Sequence, residues 1–456
     1  MRAILRYFFL LSLLLAGSSR LLSQATATGN IVGVVTDATG AALPGATVTA
    51  TNRGTNAQRS TTSNSAGQYR FDLLPNGVYD IKAEATGFST AQATALQLLV
   101  GTTVTANLPL SAGTVSTTVE VTSSNLLTDI EKLDSSTAVT PQEITDLPLN
   151  GRDIANLAIL APGVKLVDSY DPTKNRYAVY AVNGSSGRNT NTTVNGIDNK
   201  DNTVGGAVMQ LPLEAVEEFK ISTNRFSAEN GRSEGAALNI VTRSGTNQFH
   251  GALYGFFRSQ AIQTNNAIAI QGGQPKPDYS RQQYGGAFGG PIRKDKDFGF
   301  FAYEALRERS SISVTDLAFQ ELTLAIPLGA VPAHTIATPF DEKRYNGRLD
   351  HVFNDKEKIY VSYSAQDNKS NNDQSTAQVD TTQGNTTIND LILTNVTLTS
   401  ILTPKTINNF TAGFQYWNNL IKPDVLTPYF TFPDGVSFGT NLNVPQKSSQ
   451  HKFQFR

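Results

Sequence analysis

Alternation of apolar and polar positions runs through most of the chain, and its character changes twice. In YDIKAEA, Tyr79, Ile81 and Ala83 alternate with Asp80, Lys82 and Glu84, as one face of a half-buried strand requires. NIVGVVTD, ATVTATN, GQYRFDLL and TVTANLPL read the same way. Turn residues separate them at Asp37 to Gly40, Leu43-Pro44-Gly45, Asn64 to Gly67 and Pro75-Asn76-Gly77, since Gly and Asn accept positive φ and Pro presets its own. Residues 28–112 are therefore predicted to form a small β-sandwich.

The pattern becomes mixed over residues 128–245. Thr140-Pro141-Gln142-Glu143 has a cap residue, a proline at the first helical position and a glutamate three residues after the cap, which together make a capping box. Asn150 is predicted to cap a second helix, GRDIANLAILA, with Ile154, Leu157, Ala158 and Ala161 on one face and Pro162-Gly163 as its stop. Two Asn-Gly turns follow at Asn183 and Asn195, and then LPLEAVEEFKIST, a helical turn running into a strand.

From 246 to 456 aromatics alternate with small or polar residues, in FHGALYGFFRS, QQYGGAFGGPI, FGFFAYEALRERS, RYNGRLDHVF, KIYVSYSAQDN, LTNVTLTSIL and INNFTAGFQYW. In KIYVSYS the residues Ile359, Val361 and Tyr363 are predicted to face out, and Tyr360, Ser362 and Ser364 in. Tight turns at GGPIRKDKD, FNDKEK and LTPKT join one end of these strands. Polar segments near 260–280, 310–341 and 366–388 join the other. Short turns on one side and long loops on the other are the asymmetry of an outer-membrane barrel.

Composition narrows the choice of function. A formal net charge of -1 gives no field for a polyanion, so nucleic acid is not an expected partner. With no cysteine there is no disulfide framework, thiol nucleophile or Cys-based zinc site, and the four histidines lie far apart. No metal or other cofactor is expected, and an enzyme is the least supported class. Arg2 and Arg6 precede an apolar run from Tyr7 to Ala16, with a small-x-small cleavage site at Ser23 and Ala25. Residues 1–25 therefore read as a signal peptide. After it, no run of about 18 apolar residues appears, so a membrane would be met with strands.

Two resemblances follow from these motifs. GNIVGVVTDATGAALPGATVTATN, continued by TTSNSAGQYRFDLLPNGVYDIKAEATGFS, resembles the carboxypeptidase regulatory-like domain, a transthyretin-like sandwich. This is an accessory domain and not the peptidase. Its members are often described as carbohydrate-binding, and Tyr69, Tyr79 and Phe88 are the aromatics available for such a role, although core packing accounts for them better. LPLNGRDIANLAILAPGV, VNGIDN, LPLEAVEEFKIS and NGRSEGAALNIVTRSGTNQFHG resemble the plug of TonB-dependent outer-membrane receptors, in the variant of the Oar-like subgroup. Glu217-Glu218-Phe219-Lys220 departs from the I-E-V-x-x-G of such plugs, which bears on how the plug meets the wall.

The expected fold class is mainly β: a signal peptide, a sandwich, an α+β plug, and the N-terminal part of a transmembrane antiparallel barrel. About seven strands are countable, with HKFQFR opening an eighth. An eight-stranded barrel is just filled by its own side chains, whereas plugged transporters use about 22 strands. The chain thus reads as the first portion of a receptor. Residues 113–127 read either as a linker or as a strand added to a periplasmic partner. Within them Val119, Glu120, Val121 and Thr122 resemble a TonB box.

The resemblance implies a TonB-type energy-transducing partner, outer-membrane lipid, the barrel assembly machinery, and an extracellular ligand that is carbohydrate, peptide or siderophore. Arg188, Asn189, Asn195 and Asp198 are the candidate ligand or gating contacts of the plug loops, with solvated turn tips as their plainer reading. Gly231, Gly235 and Gly245 are predicted to form the hinge between plug and barrel. The alternative function is surface adhesion or carbohydrate binding without transport.

Overall fold

The computed structural model describes residues 28–113, 136–147, 149–167, 179–188, 190–202, 205–223, 226, 233–265, 270, 276–403 and 406–455. The signal peptide, Val119 to Thr122, Asn189, Gly231 and the centre of the LTPKT turn lie outside the described residues.

Strands β1 (Thr28–Asp37), β2 (Thr47–Asn52), β3 (Gln58–Thr62), β4 (Gln68–Pro75), β5 (Gly77–Glu84), β6 (Ala91–Leu98), β7 (Thr103–Thr105) and β8 (Leu108–Leu110) make the sandwich. One sheet is β3-β2-β5-β6; the other is built on β1, which pairs antiparallel with β4 and parallel with β7 and β8. Ile31, Val48, Phe71, Ile81, Leu96 and Leu108 fill the space between the sheets. Tyr69 and Tyr79 are 4% and 3% exposed and Phe88 packs on the same core, so these aromatics do not form an exposed platform.

The plug contains β9 (Ser136–Val139), α1 (Pro141–Asp146), β10 (Val164–Val167), β11 (Val179–Val182), β12 (Asn191–Val194), β13 (Ile197–Asp198), β14 (Val216–Thr223) and β15 (Ala236–Thr242). Its main sheet has the order β13-β12-β15-β14-β9, and β10 and β11 form a separate hairpin. The capping box at Thr140 is formed: the Thr140 N–H donates to Glu143 Oε2 at 2.8 Å and the Glu143 N–H to Thr140 Oγ1 at 3.3 Å. The second helix differs from expectation. Gly151 (φ 68°) and Arg152 (φ 54°) break it into two short 3-10 segments, and the cap of the longer segment is Asp153, not Asn150. The predicted apolar face survives, because Ile154, Leu157, Ala158 and Ala161 are all buried.

Eight antiparallel strands form the wall: β16 (His250–Ser259), β17 (Ser280–Arg293), β18 (Asp297–Arg309), β21 (Phe340–Asn354), β22 (Glu357–Asn371), β23 (Asn385–Thr403), β24 (Thr406–Pro423) and β27 (Gln446–Phe455). Two small antiparallel pairs lie at the outer end, β19 (Ser311–Ser313) with β20 (Thr335–Ala337), and β25 (Phe430–Thr431) with β26 (Ser437–Phe438). Alternation decides what each wall face meets: Ser362, Ser364 and Gln366 are buried toward the plug, while Val361 and Tyr363 are exposed.

The long segments at the outer end are more ordered than their polarity suggests. Helix α2 (Asp316–Leu324) lies between β19 and β20. Val314, Ala318, Leu322, Ile336, Val379 and Phe438, drawn from three different connections, form one apolar core. Backbone bonds knit the connections together, with the Thr315 N–H donating to Ala377 O at 2.9 Å and the Ser437 N–H to Gln378 O at 3.0 Å. The result is a folded outer cap rather than separate polar loops.

Candidate functional site: the junction of plug, wall and sandwich

Chemistry-bearing side chains concentrate where the plug meets the wall. The positive φ that breaks the plug helix at Arg152 sends its guanidinium to the wall, where Nε donates to Glu304 Oε2 of β18 at 2.9 Å. Its other end pairs with Glu214 of the plug, and the Tyr254 ring stacks under it at 4.1 Å. Burial opposes the charge of Arg152, but Glu214 and Glu304 outweigh burial and hold the guanidinium protonated above its ordinary range.

Glu304 in turn accepts from Tyr254 Oη at 2.8 Å, Gln283 Nε2 at 3.1 Å and Arg344 Nη1 at 2.8 Å. Arg344 also donates through Nε to Glu342 Oε2 at 2.8 Å. Gln366 joins Glu342 to the plug, because its Oε1 accepts the Gln210 N–H at 2.7 Å. A buried, hydrogen-bonded chain of charges thus crosses from one body to the other. Such a pairing fixes position at little net stability, since ions lose hydration on burial.

A second contact is neutral. Asn195 has no exposed surface; its Nδ2 donates to Thr242 Oγ1 at 2.9 Å and to Asn395 Oδ1 of β23 at 3.3 Å, while its Oδ1 accepts the Thr242 N–H at 2.9 Å. Asp198 also meets the wall: its N–H donates to Gln454 Oε1 at 2.9 Å and its Oδ2 accepts from Lys452 Nζ at 3.2 Å. These two predicted contact residues are therefore plug–wall contacts rather than solvated turn tips, Asn195 buried and Asp198 half-buried. Arg188 stays exposed.

The hinge residues divide similarly. Gly235 has φ +96°, a conformation that a side chain rarely adopts. Gly245 is needed for close approach, since a Cβ there would lie 2.5 Å from Gly299 O and 2.7 Å from Gly290 O of the wall.

Below the plug the sandwich is docked. The Val100 N–H donates to both oxygens of Glu218 on β14, at 2.8 and 2.9 Å. The Asn247 N–H donates to Gly54 O at 2.7 Å. Asp295, in the turn between β17 and β18, accepts from Asn56 Nδ2 at 3.0 Å and from Asn247 Nδ2 at 2.7 Å. The departure at Glu217 to Lys220 thus serves the sandwich more than the wall: Glu218 receives Val100, and Lys220 passes over Gly101.

Burial pushes the Glu218 carboxyl up to about 7 from an ordinary 4.5; the Val100 N–H and Lys220 pull it down, and Glu217 pushes it up. Undocking returns Glu218 to water and to its ordinary value, so the docked form binds the proton more tightly between pH 4.5 and about 7. Docking is therefore strongest at the acid end of that window, weakens as pH rises through it, and levels off above. Calorimetry between pH 5 and 8 should show the transition that separates the sandwich moving to lower temperature with rising pH. Glu218→Gln should flatten that dependence; an unchanged slope would exclude Glu218 as its source.

Sequence reasoning did not single out Arg152, Glu214, Glu304, Glu342 and Arg344. A signal was present in FAYEALRER and DEKRYNGR, where Glu304, Glu342 and Arg344 fall on the inward phase of the alternation. A charge there needs a partner across the lumen.

A polar-lined wall carrying an ion-paired plug and a folded outer cap defines a plugged outer-membrane β-barrel protein. The outer membrane beta barrel domain family matches residues 241–325 and 329–455, and the carboxypeptidase regulatory-like domain family matches residues 30–111. Within that class the chain is a homologue of the TonB-dependent transporter Oar of Myxococcus xanthus, 27% identical over 367 residues, covering 75% of this chain and 33% of that protein. Among solved structures it is similar to the outer membrane transporter YddB of Escherichia coli, with a TM-score of 0.53 at 12% identity over 70% of this chain and 44% of that one. The siderophore receptor PirA of Acinetobacter baumannii has a TM-score of 0.48 at 18% identity, over 72% of this chain and 45% of its own. The chain spans about a third of the curated relative and under half of these structures. The chain carries an outer membrane beta barrel domain and an N-terminal carboxypeptidase regulatory-like domain, and it is similar to TonB-dependent transporters of the outer membrane.

Proposed function

We propose that this receptor moves an extracellular ligand across the outer membrane by a plug rearrangement driven from the periplasm. The observation that carries the reading is the position of β9. It is the edge strand of the plug sheet, held to β14 by four residue pairs from Phe219–Val139 to Ser222–Ser136. Val119 to Thr122 precede β9 in the chain, so a pull there reaches this short edge strand first. A TonB-type protein would take that segment as an added strand, through backbone bonds. The plug–wall contacts at Arg152, Asn195 and Asp198 would be the ones exchanged. The similarity to Oar, a protein named as a transporter, supports the same reading.

The test is capture of the receptor by the purified periplasmic domain of TonB from the source cell. Val121→Pro, which removes a backbone donor from the added strand, should lower capture at least tenfold. Equal capture of the two proteins would exclude this segment as the coupling site. Adhesion without transport would follow if no TonB domain bound the unaltered receptor.

A further inference from the structure

We propose that the sandwich is a clamp on the plug: its docking holds β14 and the hinge closed, so that rearrangement of the plug begins with undocking of the sandwich. The proposal rests on reading the plug as the moving part. Three features of the interface support it.

First, the contacts fall on the parts of the plug that would have to move. Glu218 lies on β14, the strand that carries the edge strand β9, and Asn247 lies just past the hinge at Gly245. Asp295 ties the same sandwich loop to a turn of the wall, so the sandwich bridges plug and wall at one point.

Second, the interface is polar. The apolar cores of sandwich and plug are separate clusters, and among the described residues the hydrogen bonds at this junction run between backbone groups, amides and carboxylates. Polar groups of this kind regain their bonds from water on separation, as in interfaces that open and close.

Third, there is room for movement. Beside the contacts lies a cavity of about 1070 Å³, lined by Arg53, Arg59 and Tyr79 of the sandwich and by Arg348, Lys358 and Tyr360 of the wall. The sandwich is thus held along one side and free of the wall on another.

The absence of cysteine makes the clamp testable with a single engineered staple. A Cβ built at Gly54 lies 3.8 Å from Thr246 Cβ, within the span of a disulfide, so Gly54→Cys with Thr246→Cys joins sandwich to hinge. Hydrogen exchange on the full chain in lipid discs reads two sets of amides. Those of Val100 and Asn247 report docking, and those of residues 216–223 report the plug strand. Glu218→Ala should speed both sets about tenfold, and the oxidised staple added to Glu218→Ala should restore both, with reductant reversing the rescue.

The clamp is wrong if docking amides speed up while those of residues 216–223 do not. It is equally wrong if the oxidised staple leaves β14 as fast as in Glu218→Ala alone, since the substitution then acts within the plug. Capture by TonB is independent of the staple's redox state, so failure of that experiment touches the coupling reading and not the clamp.

Discussion

Replacing Arg344 by methionine is expected to lower the stability of the closed receptor by about 3–5 kcal/mol, the cost of breaking a buried ion pair from one side. Arg344 is 1% exposed and stands between two buried carboxylates, with Nη1 2.8 Å from Glu304 and Nη2 2.6 Å from Glu342. Without it Glu304 keeps Arg152, but Glu342 loses its guanidinium. Heat-induced unfolding in detergent reads the loss. Adding Glu342→Gln to the methionine variant should recover part of it, because the new amide no longer buries a charge beside Gln366. A loss under about 1 kcal/mol would mean that the network is hydrated and that the wall does not depend on its charges.

The second large effect is expected at Trp417, where alanine should cost about 3–5 kcal/mol. Trp417 belongs to β24 of the wall, yet it is 1% exposed and shares the apolar core of the plug with Leu391 and Leu393 of β23. Its Nε1–H donates to Asn389 Oδ1 at 3.2 Å, an acceptor also used by Asn419 at 2.9 Å, so truncation opens a void without stranding that oxygen. As the single tryptophan of the chain it also reports on the plug directly. Its emission should shift to the red when the plug leaves the wall, and Trp417→Phe should keep most of the stability. Unfolding of Trp417→Ala at the unaltered temperature would place the plug's anchorage elsewhere.

The fold was legible wherever local periodicity and final surroundings agree. KIYVSYS alternates because one face meets lipid and the other the plug, and the Thr140 capping box is complete within four residues. What stayed hidden depends on pairs far apart in the chain. Arg152 and Glu304 are 152 residues apart, and Val100 and Glu218 are 118 apart, so no window of sequence contains either pair. Glu218 was visible only as a departure from the plug pattern, and its partner is a backbone N–H, which no residue identity betrays. The helix through Gly151 and Arg152 failed for a related reason: the wall binds the Arg152 side chain in a conformation that helix propensity opposes. Asn195 has the residue type of a turn and sits in a turn, but that turn is pressed against Asn395.

The outer cap has a consequence for how such receptors diverge. Val314, Leu322, Val379 and Phe438 form a core that shares no residue with the core of the plug. Mutations among the exposed residues above it, such as Leu317, Leu324 and Leu426, can accumulate without disturbing the contacts that close the lumen. Selection can therefore rewrite the exposed outer face and preserve closure, provided each new loop still covers those buried positions.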